Sequence, residues 1–315
     1  MGIILIMGLG MIVGKWVFPE KIKKWNEKAQ LACTLLIIFS MGIMLGEKEN
    51  FLKDLPRLGI RSFIFFAVPT VLSIIVVYFL TKHFMDHPGG RHSGEAEPVT
   101  GEEKEEGRQG EKRFGMVKLA LAALAAGIAM GAAGLWKGLT GLITSNTERI
   151  LYCLMFSVGI SVGLQEGIFN RIRRYHIRIL IIPLGTIAAS VLGGVICAVM
   201  TGYPLNQSVS IASGLGWYSL SGAMLSELGG VELGSIAFLS NLLREIFSFF
   251  LIPFLALKLN YFACIASAGA TSEDTTLPMM IKYTDGEAVV LSVLNGIICS
   301  AAVPVLISFF YQILP

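Results

Sequence analysis

Runs of about 17 or more mostly apolar residues recur along this chain, among them Ile64–Leu80, Ile179–Met200 and Ile236–Leu257. Each is long enough to carry a helix across ~30 Å of hydrocarbon. A water-soluble fold cannot bury so many such runs and still clothe its surface, because 54% of the 315 residues are hydrophobic and only 15% are charged. Lipid offers no partner to a free backbone N–H or C=O, so the runs must be helices. The expectation is an all-α polytopic membrane protein.

Eight crossings are predicted, near residues 2–18, 31–46, 60–82, 115–136, 149–165, 178–201, 234–257 and 286–312. The first lacks a basic leader and a small-residue cleavage site, so it reads as a retained helix. Two further segments, 207–228 and 262–282, are apolar at their edges but carry Gly, Ser, Thr and carboxylates at their centres. Backbone of that kind survives at membrane depth only when buried in protein or lining a wet cavity, so both read as re-entrant or broken helices. The organisation expected is a first membrane repeat over 1–82, a disordered cytoplasmic linker over 83–113, a second membrane repeat over 114–201, and a substrate-site region over 202–315.

The repeat rests on an offset of 117 residues. Ser40-Met-Gly-Ile-Met-Leu-Gly46 then falls on Ser157-Val-Gly-Ile-Ser-Val-Gly163, Glu49 on Glu166, Arg57 on Arg174, and Gly10-x-x-x-Gly14 on Gly127-x-x-x-Gly131. Each copy holds three crossings, an odd number, so the second copy must run through the membrane in the opposite sense, as in inverted-repeat transporters. With the N-terminus outside, 18 of the 25 Lys and Arg residues lie on cytoplasmic segments and six outside, with Arg244 within a crossing. The positive-inside rule favours that arrangement, which puts both termini outside an inner cell membrane.

The formal charge of +3 points to neither nucleic acid nor an acidic partner. Five cysteines sit in apolar segments without C-x-x-C spacing, and four histidines show no metal-ligand spacing. No metal site and no cofactor is expected. An intramembrane serine hydrolase would need a histidine inside a crossing, and an aspartyl type two interior aspartates. Neither is present, so the chain does not read as an enzyme.

Three constellations carry candidate chemistry. Gly214-Leu-Gly-Trp-Tyr-Ser-Leu-Ser-Gly222 sets glycines among aromatics and hydroxyls; Gly216 frees backbone, Trp217 and Tyr218 offer ring faces to an ammonium, and Ser219 and Ser221 offer hydroxyls. A tight helix–helix contact would use the same residues. Asn241, Glu245 and Ser248 form one stripe of a crossing, and an intramembrane carboxylate defaults to function, unless Arg244 pairs with it merely to tie helices together. In Gly269-Ala-Thr-Ser-Glu-Asp-Thr-Thr-Leu-Pro278, Thr271, Ser272 and Asp274 have the chemistry to hold an amine, a proton or Na⁺; a solvated loop has a similar composition.

The strings GWYSLSG at 216–222, RE at 244–245 and GATSEDTTLP at 269–278, in this order, resemble the bacterial lysine exporter family of the LysO type. The likeness is densest from about residue 211 onward. It implies export of L-lysine and of the analogue thialysine through a solvent-reachable intramembrane cavity, with two acidic residues that fall on Glu245 and Asp274; Glu273 stands beside the second. Lysine carries one carboxylate and two ammonium groups, so donors are wanted at one end of a site and carboxylates at the other. The backbone of 216–222 supplies the first and Glu245 with Asp274 the second. The expected activity is cation-coupled antiport with a proton or Na⁺ as the coupling ion; the alternative is a cation/proton antiporter without an amino-acid substrate.

Overall fold

In a computed structural model, residues 2–16, 23–47, 51–85, 119, 121–134, 137–163 and 180–314 are described. All regular structure among them is helical: α1 Gly2–Trp16, α2 Lys23–Gly46, α3 Phe51–Phe84, α4 Leu121–Ala133, α5 Lys137–Ser145, α6 Thr147–Gly163, α7 Ile181–Thr201, α8 Leu205–Ala212, α9 Tyr218–Gly229, α10 Val231–Lys258, α11 Tyr261–Ala268, α12 Leu277–Tyr283 and α13 Gly286–Ile313. Five of these, α2, α3, α7, α10 and α13, are long and apolar enough to cross a membrane. Shorter apolar helices lie at 5–14, 121–133 and 149–161, within three other expected crossings. The protein is a multi-pass membrane protein. The expected linker lies almost wholly outside the described residues.

Helix limits depart from the sequence expectation where a helix outlasts its apolar stretch. The second helix starts at Lys23 instead of 31, and α3 starts at Phe51 instead of 60, through what was expected to be loop. Polar residues such as Asn26 and Arg57 ride on these extensions, because a helix needs apolar side chains only where lipid surrounds it. The short α5 had no counterpart among the expected crossings.

Small residues set the helix packing. An added Cβ on Gly10 would stand 3.1 Å from Gly159 Cα, and one on Gly42 would stand 3.0 Å from Gly127 Cα. At both places the two backbones meet, and no larger residue fits. From these contacts and those of Gly14 with Ile160 and Gly46 with Ile128, α1 runs parallel to α6 and α2 parallel to α4. Between α3 and α7, Pro69 meets Gly193, Ser73 meets Ser190 and Val77 meets Gly185, an antiparallel crossing. Ser73 Oγ and Ser190 Oγ are 3.1 Å apart and separated by 117 residues in sequence.

Polar contacts at the helix ends mark two opposite ends of the molecule. At one, Arg61 donates to Tyr203 Oη (2.7 Å) and Glu232 (3.3 Å), while Tyr311 Oη donates to the Leu228 carbonyl (2.9 Å). Burial, then the Glu232 carboxylate, pushes the Tyr203 phenol above its ordinary range, and its hydroxyl donates to Glu232 (3.1 Å). At the other end, Asn260 donates to Thr81 Oγ1 (2.9 Å).

Candidate functional site

Both segments expected to be broken are broken. Helices α8 and α9 form one hairpin, and α11 and α12 with the 3-10 turn Gly269–Glu273 form another. Both ends of the first meet Tyr311, since Asn206 donates to its carbonyl (3.4 Å) and its own hydroxyl reaches Leu228. The second starts at the Asn260 end of the molecule. The tips touch: the Ala270 N–H donates to the Leu215 carbonyl (2.8 Å).

Positive φ at the tips explains why glycine stands there. Gly216 has φ +101° and Gly269 φ +64°, conformations that side chains disfavour. A Cβ on Gly216 would come within 3.0 Å of the Ala268 carbonyl oxygen, and one on Gly269 would collide with the Leu215 carbonyl. Leu215 itself has φ 50°, the one positive φ among described non-glycine residues.

Three buried side chains hold the tips. Asn241 Oδ1 accepts the Gly216 N–H (2.7 Å), while its Nδ2 donates to the Ala237 carbonyl (2.9 Å) and to Ser221 Oγ (3.2 Å). Arg244, 3% exposed, donates to the carbonyls of Ala266 (2.9 Å) and Ser267 (3.2 Å) and to Ser190 Oγ (3.1 Å). These carbonyls close α11, so the guanidinium sits at the negative end of a helix dipole and satisfies acceptors that have no intrahelical partner. Asn295 donates to the Gly269 carbonyl (2.9 Å) and to Ser272 Oγ (3.0 Å).

Glu245 is different. It is 2% exposed, yet its carboxylate makes no hydrogen bond or ion pair with any described residue. It lies within electrostatic range of Asp274, and Tyr218 lies within range of both. Asp274 is exposed at the second tip, where it accepts from the Thr275 N–H. Trp217, Tyr218 and Ser219 are half-buried around the first. Glu273 turns elsewhere: Ser300 Oγ donates to it (3.0 Å), and its Cβ packs against Gly296.

The sequence model described as lysine exporter LysO matches residues 121–311, more than half of the chain. The lysine exporter LysO of Escherichia coli (strain K12) is 31% identical over 286 residues, 87% of either chain. This chain belongs to the LysO lysine exporter family. That family is one of transporters, not of enzymes. A putative lysine exporter of Haemophilus influenzae (strain ATCC 51907 / DSM 11121 / KW20 / Rd) is 34% identical over 197 residues, 60% of this chain and 95% of that protein. No solved structure matches.

For a member of this family, the side chains singled out in the sequence sort into two groups. Asn241, Ser221, Ser272 and Thr271 are buried and bonded within the protein: Ser221 and Thr271 back-bond to Trp217 and Ala268, and Ser272 exchanges hydrogen bonds with Ser292. They shape the tips. Glu245 has no hydrogen-bond partner among the described residues, Asp274 is exposed, and Trp217, Tyr218 and Ser219 are half-buried at the first tip. The suspected Arg244–Glu245 pair does not form, because neighbours on a helix point about 100° apart and Arg244 is taken by carbonyls. Reading the sequence missed Asn295 and Ser190. A lone amide inside an apolar helix was the available signal for Asn295; nothing local marks Ser190.

Proposed function

We propose that this protein exports L-lysine, and analogues such as thialysine, across the inner cell membrane through a cavity at the two hairpin tips. The observation that carries the reading is Glu245: a carboxylate almost wholly buried, with no hydrogen-bond or ion-pair partner among the described residues, and within electrostatic range of Asp274 and Tyr218. Burying such a group is tolerated where it serves a cation. Its ligand is an ammonium group of lysine, and the printed names of the two relatives favour that substrate. The α9 N-terminus, where the Ser219 and Leu220 N–H groups have no intrahelical acceptor, receives the α-carboxylate. Trp217 and Tyr218 flank the aliphatic stem.

Coupling follows from the same pair. Two carboxylates facing one cavity repel when both are ionised, so a proton or Na⁺ replaces lysine on the return step, giving antiport. Alternating access is favoured by an architecture of eight crossings, two re-entrant hairpins and an inverted three-helix repeat with both termini outside. Supporting the repeat, Gly10 against Gly159 becomes Gly127 against Gly42 when 117 is added or subtracted, and Ser73 touches its own counterpart Ser190. Efflux of radiolabelled lysine from loaded proteoliposomes tests the function. Saturable efflux driven by a proton or Na⁺ gradient is expected; gradient-driven cation exchange without lysine movement would establish the cation/proton antiporter instead.

A further inference from the structure

The two hairpins, each with its following helix, are built alike. In both, a first arm of eight residues, Leu205–Ala212 or Tyr261–Ala268, leads to a tip with a positive-φ glycine. A second arm returns, and a helix of 28 residues follows, Val231–Lys258 or Gly286–Ile313. In both, an asparagine of that long helix reaches back to the tip of its own hairpin. Asn241 takes the Gly216 N–H across 25 residues, and Asn295 takes the Gly269 carbonyl across 26.

The units enter from opposite ends. Both feet of the first hairpin meet Tyr311 in the last turns of α13. The second hairpin begins beside Asn260, bonded to Thr81, and its second arm runs into Asp285, which caps the start of α13 about 40 Å of helix away from Tyr311. Opposite insertion with a shared internal plan is the signature of an inverted repeat.

We propose that residues 205–258 and 261–313 form an inverted repeat of their own, in which Asn241 and Asn295 are equivalent clasps and Asn295 is a positioning residue for transport. It holds the 269–274 tip, and with it Asp274, at the site. The inference rests on reading the tips as the lysine site. Asparagine suits the task because one amide carries both donors and an acceptor, so the same residue type grips an N–H at one tip and a C=O at the other. Losing the clasp leaves the Gly269 carbonyl buried without its donor and Asp274 free to drift.

Two measurements test this. The first is the half-saturating lysine concentration for efflux, beside membrane abundance, for the wild type, Asn295→Ala, Asn295→Asp and Asn295→Gln. The expected result is a rise of about tenfold for Ala and Asp at unchanged abundance, with partial return for Gln, which keeps the amide donor. Wild-type values in Ala and Asp, in a protein that does export lysine, would overturn the positioning role. A wild type that moves no lysine would sink the functional reading and leave the repeat to the second measurement, which also decides if Asn295→Ala fails to insert. In a background with the five native cysteines replaced, Glu227→Cys and Lys282→Cys are probed with an impermeant maleimide. Labelling of the first in intact cells and of the second only after permeabilisation is expected; labelling of both from one side overturns the repeat.

Discussion

At Glu245 and Arg244, two adjacent ionisable residues in one buried turn do opposite jobs. Arg244 is consumed by the Ala266 and Ser267 carbonyls and Ser190, while Glu245 has no hydrogen-bond or ion-pair partner among the described residues. Their substitutions should therefore part company. Glu245→Gln and Asp274→Asn are expected to abolish lysine efflux at near-normal membrane abundance, because Glu245 pairs with no cation among the described residues and Asp274 is exposed. Arg244→Ala takes the guanidinium from the buried Ala266 carbonyl and leaves the Ser267 carbonyl only the shared Ser248 hydroxyl, at roughly 1–3 kcal/mol for a stranded acceptor, so quantitative immunoblotting of membranes should show depleted protein. The double change Arg244→Gln with Glu245→Gln should transport no better than Glu245→Gln alone. Recovery of both abundance and efflux in that double variant would mean the two residues neutralise each other after all.

Among the elements, the hairpins depend on their glycine tips and the outer helices on glycine contacts, for different reasons. At Gly216 the problem is backbone conformation as well as space: φ +101° is disfavoured for a side-chain-bearing residue by roughly 1–2 kcal/mol, and a Cβ would press on the Ala268 carbonyl. Gly216→Ala should lower efflux more than abundance, since the strain falls on the tip and not on the membrane-spanning framework. Gly42 has ordinary helical backbone, but its Cβ would meet Gly127 across α2 and α4. Gly42→Leu should push these helices apart, reducing membrane abundance and, with it, efflux in proportion. Efflux per molecule separates the two cases.

For the whole molecule, the proposed orientation rests on the basic residues, and it decides which of the two ends faces outward. Arg61, Tyr203, Glu232 and Tyr311 gather at the end assigned to the outside, and Thr81 and Asn260 at the end assigned to the cytoplasm. A C-terminal reporter active only outside the cell should accordingly be active, and the same reporter placed in the 83–113 segment should not. That segment contains Pro88, Gly89, Gly90 and a Glu-dense run and lacks large apolar residues from Gly101 to Gly110, so it cannot build a core. Loop-closure entropy changes only with the logarithm of length. Deleting Glu95 to Gln109 should leave lysine efflux nearly intact; loss of efflux with normal insertion would assign the segment a binding or regulatory task.

The amino-acid sequence by itself determined that this chain lives in a membrane, where the cores of its five long apolar helices lie, and where two further segments break, but not where α2 and α3 begin. Apolar length, the interruptions at 214–222 and 269–278, and the distribution of Lys and Arg are local or one-dimensional properties, so they survive without coordinates. It also singled out Glu245 and Asp274, because a carboxylate in an apolar setting is conspicuous in any fold. Only the tertiary structure decided what each polar group is bonded to. That Arg244 turns to the carbonyls of α11 and away from Glu245, that the tips meet at Leu215 and Ala270, and that Asn241 and Asn295 grip them depends on helices far apart in sequence arriving side by side. A hydrogen bond is settled by a fraction of an ångström and by direction, and neither is written in the spacing of residues along a chain.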